Sequence, residues 1–115
     1  MMPERLVYIA GPYTGPTQWI VAQNIRAAES YGRGVALLGL FPIVPHVLGQ
    51  SFGDEQTPEF WYRGTLEVMK RCDAVIMLPN WSESKGAIHE RRIALELGLP
   101  VFYSLEEARV WSEDE

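Results

Sequence analysis

Asp73-Ala74-Val75-Ile76-Met77-Leu78-Pro79 decides the fold class of this 115-residue chain. It is an almost unbroken apolar run between an acid and a proline, without the polar alternation of a strand that faces water. Such a run suits a parallel strand covered on both faces. Parallel strands need crossover connections, usually helices, and the flanking sequence supplies them. Just upstream, Thr57-Pro58-Glu59 reads as an N-cap, a first-turn proline and an early acid. That helix should run to about Arg71, with Trp61, Leu66 and Met69 on its apolar side. Residues 46–56 form a loop with Gly49 and Gly53. Before it, Leu40-Phe41-Pro42-Ile43-Val44-Pro45 is a strand whose two prolines make it short or place it at an edge.

Further out, Thr17 caps a helix reaching about Leu38, with Ile20, Ala27, Ala28, Tyr31, Val35 and Leu38 at helical spacing. Gly32 and Gly34 weaken that helix but let it lie close to a sheet. Gly39 stops it. Leu6-Val7-Tyr8-Ile9-Ala10, ended by Gly11-Pro12, is a first buried strand. Downstream of the central run, residues 80–85 are a polar loop and residues 86–97 a helix with Ile88, Ile93, Ala94 and Leu97 inward. Gly98 caps it, Leu99-Pro100-Val101-Phe102-Tyr103 is a fourth strand, and Ser104-Leu105-Glu106-Glu107 opens a last short helix. The order β-α-β-α-β-α-β-α predicts an α/β domain with right-handed crossovers and a mostly parallel sheet of four or five strands. In such sheets ligands bind beyond the carboxyl ends of the strands. The loops there are residues 11–16, 46–56 and 80–85.

Composition limits the function. At 115 residues the chain is one domain by length, spanning residues 1–115. Ten Lys+Arg against 15 Asp+Glu give a net charge of -5, which disfavours a nucleic-acid polymer as partner. A single cysteine, Cys72, excludes an internal disulfide, and no Cys/His set has zinc spacing. Cys72 reads as a packed thiol. No apolar run is long enough to span a membrane, and Met-Met-Pro-Glu-Arg is too short and too charged to lead a signal peptide. A cytoplasmic protein with no membrane partner, no metal and no cofactor is expected.

Several residues can carry chemistry. Gly11-Pro12-Tyr13-Thr14-Gly15 lies between a strand and a helix, where backbone N–H groups and the helix dipole favour an anion. It is neither Gly-x-Gly-x-x-Gly nor a Walker loop, so a dinucleotide or ATP site is disfavoured. Phosphate or ribose binding and a plain tight turn both remain open. Glu90 falls about one turn into the helix after Ser84-Lys85-Gly86, and its side chain leans back toward the strand ends. It suits a nucleophile or base, or else an exposed glutamate favoured by the helix dipole. His46, after Val44-Pro45, can bind substrate, donate a proton or serve the loop alone. His89 points about 100° away from Glu90 and is not expected to partner it. Trp61, Tyr62 and Trp81 can stack on a flat base or belong to the core. Asn24 should hydrogen-bond a neighbouring loop.

Taken in order, these pieces carry a resemblance. Tyr8-Ile9-Ala10-Gly11-Pro12-Tyr13, Asn24, Ala28, Pro45-His46, Cys72-Asp73-Ala74-Val75, Leu78-Pro79-Asn80-Trp81, Ser84-Lys85-Gly86-Ala87, Glu90 and Gly98-Leu99-Pro100 span nearly the whole chain. With them the chain resembles the nucleoside 2-deoxyribosyltransferase superfamily, which includes the 2'-deoxynucleoside 5'-phosphate N-hydrolases. It is similar to small bacterial and phage members of undefined function. The resemblance implies a three-layer flavodoxin-like or Rossmann-like sandwich. It implies cleavage of the N-glycosidic bond of a (deoxy)nucleoside or its monophosphate, through a covalent glycosyl-enzyme on a glutamate that Glu90 matches. Water or a second base resolves that intermediate.

The resemblance also implies a phosphate-binding serine six positions earlier, and Ser84 stands there. Thr14, Gly15 and Lys85 complete a phosphate site, Tyr13, His46 and Trp81 shape the base and sugar pocket, and Gly11 and Gly86 are further substrate-binding candidates. One departure stands out. Active members carry an aspartate about two dozen residues before the nucleophile to help protonate the base. Here that stretch is Arg63-Gly64-Thr65-Leu66. Glu67, His46 or water would then have to supply the proton. The alternative is a non-catalytic nucleotide-binding or sensing module; base exchange on an NAD-like dinucleotide is a third possibility. A homodimer or higher homo-oligomer is expected, with Trp61, Tyr62 and Trp111 as interface candidates.

Overall fold

The computed structural model describes residues 3–48 and 53–114. Four strands and four α-helices alternate: β1 (Leu6–Ala10), α1 (Gln18–Leu37), β2 (Phe41–Ile43), α2 (Pro58–Lys70), β3 (Ala74–Met77), α3 (Lys85–Glu96), β4 (Val101–Phe102) and α4 (Leu105–Ser112). Short 3₁₀ turns cover Pro45–Val47, Gly53–Glu55 and Trp81–Glu83. Thus the loop expected over residues 46–56 is partly wound; its residues 49–52 lie outside the described residues. Among the described residues, no helix is long and apolar enough to cross a membrane.

All four strands are parallel, in the order β2-β1-β3-β4. The flanking helices make this a three-layer, flavodoxin-like or Rossmann-like sandwich. Side-chain alternation on the two central strands builds the layers. Val7 and Ile9 of β1 and Ala74 and Ile76 of β3 pack with Ala28, Val35 and Ala108 from α1 and α4. Tyr8, Ala10, Val75 and Met77 face the other way, toward Met69 of α2 and Ala87 and Ala94 of α3. Two covered faces explain the unbroken apolar run in β3. Pro42 is accommodated because β2 is an edge strand.

Hydroxyl side chains start every α-helix. Thr17, Thr57, Ser84 and Ser104 accept from the N–H groups of Ile20, Phe60, Ala87 and Glu107. Gly39 and Gly98, at φ +82 and +77, follow the ends of α1 and α3. Gly32 lets α1 lie close to the sheet edge, since a Cβ there would come within 2.7 Å of Val44. Cys72 is buried, its thiol donates to the Val68 carbonyl, and burial pushes it up to about 11.

Three apolar residues expected to face inward do not. Ile20 lies on the exposed first turn of α1, and Ile88 and Leu97 of α3 are 43% and 53% exposed. The buried line of α3 is Ala87, Glu90 and Ala94. A carboxylate thus occupies a core position that the hydrophobic pattern gives to its neighbours.

Candidate functional site

The sheet reverses its strand order between β1 and β3, and the crevice beyond their carboxyl ends is where doubly wound sheets place ligands. Glu90 reaches this region from the first turns of α3. It is only 6% exposed, and its Oε2 accepts the Tyr8 hydroxyl proton at 2.7 Å. Burial pushes the Glu90 carboxyl up to about 7, against the pull of the Tyr8 hydrogen bond. Tyr8 is fully buried; burial and then the Glu90 charge raise its phenol well above the usual tyrosine range. Hence Tyr8 keeps its proton and donates it, while Glu90 titrates near neutrality.

Two residues of α2 complete the cluster. Tyr62 places its hydroxyl 3.0 Å from the Gly86 carbonyl and 2.7 Å from Nδ1 of His89. Burial, followed by the Glu90 charge, pushes this phenol up to about 12 although Arg92 opposes it. Thr65, one turn further along α2, donates to the Tyr62 carbonyl at 3.2 Å. Thr65 and Tyr8 also line a cavity of about 220 Å³, with Ile43, Val44 and Pro45 at the end of β2 and Val68 of α2. This cavity is mostly apolar, suiting a flat ring or a sugar face more than a charged group.

His46 sits on the 3₁₀ turn after β2 and is 4% exposed. Its Nε2 lies 3.1 Å from the Gly11 carbonyl. A carbonyl only accepts, so Nε2 carries the proton and donates it. Burial lowers the His46 pKa, against the pull of the Gly11 and Pro12 carbonyls, and Nδ1 has no partner among the described residues. His46 is therefore a neutral ring that fixes the loop after β1. Asn24 fixes the same loop from α1, donating to the Tyr13 and Thr14 carbonyls at 3.1 and 3.4 Å. The Tyr13 ring stands 6.2 Å from that of His46. Thr14 and Gly15 are exposed.

Ser84 is the N-cap of α3, Lys85 is its exposed first residue, and the Gly86 carbonyl faces Tyr62. Together with Gly11, Tyr13, Thr14 and Gly15 they rim the carboxyl end of the sheet. Two expected site residues lie elsewhere. Glu67 is on the solvent face of α2 and pairs with Lys70 at 3.5 Å, two residues round the helix from Thr65. Glu67 does not line the cavity beside Thr65, where an acid for the base was expected. Trp81 stacks with the Arg91 guanidinium and the Tyr103 ring, at 4.9 and 6.1 Å. Arg91 and His89 flank Glu90 on opposite sides of α3, so this aromatic group lies toward β4 while the cluster lies toward α2. His89 does not bond Glu90, as expected, but it holds Tyr62. Sequence reasoning missed Thr65, and it missed Tyr8. Its signal was a phenol inside an aliphatic buried strand, because a buried hydroxyl must find a partner. Among the described residues, no three His, Cys, Asp or Glu side chains are grouped to hold a metal ion.

Fold and site together define a doubly wound parallel α/β domain with a buried, near-neutral carboxylate at its switch point. The chain belongs to the family described as a domain of unknown function, DUF4406, whose model matches residues 5–103. No curated protein matches the chain.

Proposed function

We propose that the protein is an N-glycosidase or deoxyribosyltransferase, cleaving the N-glycosidic bond of a (deoxy)nucleoside 5'-monophosphate through a covalent glycosyl ester on Glu90. The observation that carries this reading is the buried Glu90–Tyr8 pair at the carboxyl end of the sheet. A carboxylate that titrates near neutrality is available as a nucleophile at pH 7, and the phenol fixes its orientation. The apolar cavity beside Tyr8 and Thr65 takes the base or the sugar face. The exposed loop with Thr14 and Gly15 and the first turn of α3, with Ser84, Lys85 and Gly86, take the phosphate. Attack by Glu90 on C1' breaks the bond to the base. Water or a second base then opens the ester.

The test is chromatographic detection of free base. The protein is incubated with ribo- and deoxyribonucleoside monophosphates, with and without a second base, beside Glu90→Ala. Base release by the native chain and none by the variant is the expected result. Equal release by both rejects Glu90 as nucleophile.

A second reading is a non-catalytic nucleotide-binding module. It is favoured by the positions of Glu67, on the solvent face, and His46, held neutral, which leave neither as a proton source for the base. Tight nucleotide binding by calorimetry without base release over hours would establish it. The enzyme reading also includes a homodimer or higher homo-oligomer. Its support is the exposed apolar side chains Phe60 and Val68 of α2 and Ile88 and Leu95 of α3. Sedimentation velocity tests that point, and a species of 13.1 kDa alone rejects it.

A further inference from the structure

We infer that Tyr62, supplied by His89, delivers the proton that the departing base takes up; the inference rests on the N-glycosidase reading above. The hydrogen-bond geometry carries it. The Tyr62 hydroxyl lies within bonding distance of two groups, the Gly86 carbonyl at 3.0 Å and His89 Nδ1 at 2.7 Å. It has one proton to give, and a carbonyl can only accept. Tyr62 therefore donates to Gly86, and His89 carries a proton on Nδ1 and donates it to the phenol oxygen. The two side chains form a short chain with a proton waiting behind the one that leaves.

Three other donors of the site are engaged as well. The Tyr8 proton goes to Glu90, the Thr65 proton to the Tyr62 carbonyl and the His46 Nε2 proton to the Gly11 carbonyl. Tyr62 stands one turn before Thr65 on α2, and Thr65 lines the cavity that takes the base. It also touches Gly86, one turn before Glu90 on α3. The Glu90 charge acts on both phenols. That same charge disfavours a lasting phenolate, so Tyr62 must be reprotonated as it gives up its proton. The contact with His89 supplies this.

The step balances. A Glu90 oxygen bonds to C1' as the C1'–N bond breaks, and the electron pair of that bond leaves with the base. The Tyr62 proton ends on the base. The Nδ1 proton of His89 moves to Tyr62 as the ring takes up a proton from solvent at Nε2. Water then opens the ester, placing its hydroxyl on C1'; its other proton restores Nδ1–H of His89 as the Nε2 proton returns to solvent.

The test compares leaving groups. Natural nucleoside monophosphates need a proton at the base, whereas 4-nitrophenyl 2-deoxyriboside 5-phosphate expels a phenolate that does not. Tyr62→Phe and His89→Gln should lose about 10²- to 10⁴-fold in kcat on the natural substrate. On the nitrophenyl substrate the loss should be much smaller, and Glu90→Ala should lose both activities. An equal loss on both substrates, or no loss on either, overturns the role of Tyr62 while leaving the N-glycosidase reading intact. A native chain inactive on both substrates removes that reading and this inference with it.

Discussion

Glu90 is pulled in opposite directions by its surroundings, and the balance makes it testable. Burial raises its carboxyl to about 7 from the ordinary 4.5, while the Tyr8 phenol favours the ionised form. The unfolded chain releases this proton first as pH rises. The folded chain therefore holds the extra proton between about pH 4.5 and 7, and stability falls across that window before levelling off. Glu90→Gln keeps an acceptor for Tyr8 and removes the titration. The variant should gain relative to the native chain from pH 5 to pH 8, by up to about 3 kcal/mol. Urea unfolding at the two pH values measures this, and a constant difference would show that Glu90 does not titrate in that window. Tyr8→Phe acts in the other direction on the chemistry. Without the phenol, Glu90 ionises at a higher pH, so the acid limb of kcat/KM should move up. At pH 7 the rate should drop roughly 10- to 100-fold, the worth of a hydrogen bond to a charged group. A pH–rate profile checks both points, and an unmoved limb would assign it to another group.

Among the elements, α3 joins stability to ligand binding through Ser84. Its hydroxyl caps the helix by accepting from the Ala87 N–H at 3.1 Å. Ser84→Ala should lower stability by about 1 kcal/mol without any ligand. If Ser84 also binds phosphate, KM should rise for nucleoside monophosphates and stay unchanged for the unphosphorylated nucleosides. Thermal unfolding and paired KM measurements separate the two effects. Caps such as Thr17 and Thr57 were legible in the sequence because each acts on a backbone group three residues away. The inward face of α3 was less so. Ile88 and Leu97 carry the hydrophobic signal, yet Glu90 takes the buried position, because its partner Tyr8 lies 82 residues away in sequence. Similarly, Glu67 was close to the right spacing, but the helix turns Thr65 toward the site and Glu67 toward Lys70.

Across the whole molecule, the strand–helix order was readable because each buried strand and each capped helix leaves a local pattern. The layers follow from the two-residue period of β1 and β3, which sends Tyr8 toward α3 and Val7 and Ile9 toward α1. What no local pattern announces is how distant segments of the chain are fastened together. Arg5, just before β1, donates to the Ser112 carbonyl at 2.6 Å and the Trp111 carbonyl at 3.2 Å, and its guanidinium lies 4.6 Å from the centre of the Trp111 ring. It thus neutralises the carbonyl end of α4 and pins that helix to the lead of the first strand. α4 lies beyond the stretch matched by the family model, yet Ala108 is fully buried and Leu105 and Trp111 pack against the core that covers β1 and β3. Arg5→Met should keep much of the contact with Trp111 while removing the charge and the three hydrogen bonds to the Trp111, Ser112 and Asp114 carbonyls. The expected cost is about 1–3 kcal/mol in urea unfolding. Amide exchange should also quicken in α4 ahead of the central strands, because its anchorage is lost while β1 and β3 remain paired. If exchange rises evenly over the whole molecule, Arg5 supports global stability alone and α4 is held by its apolar face.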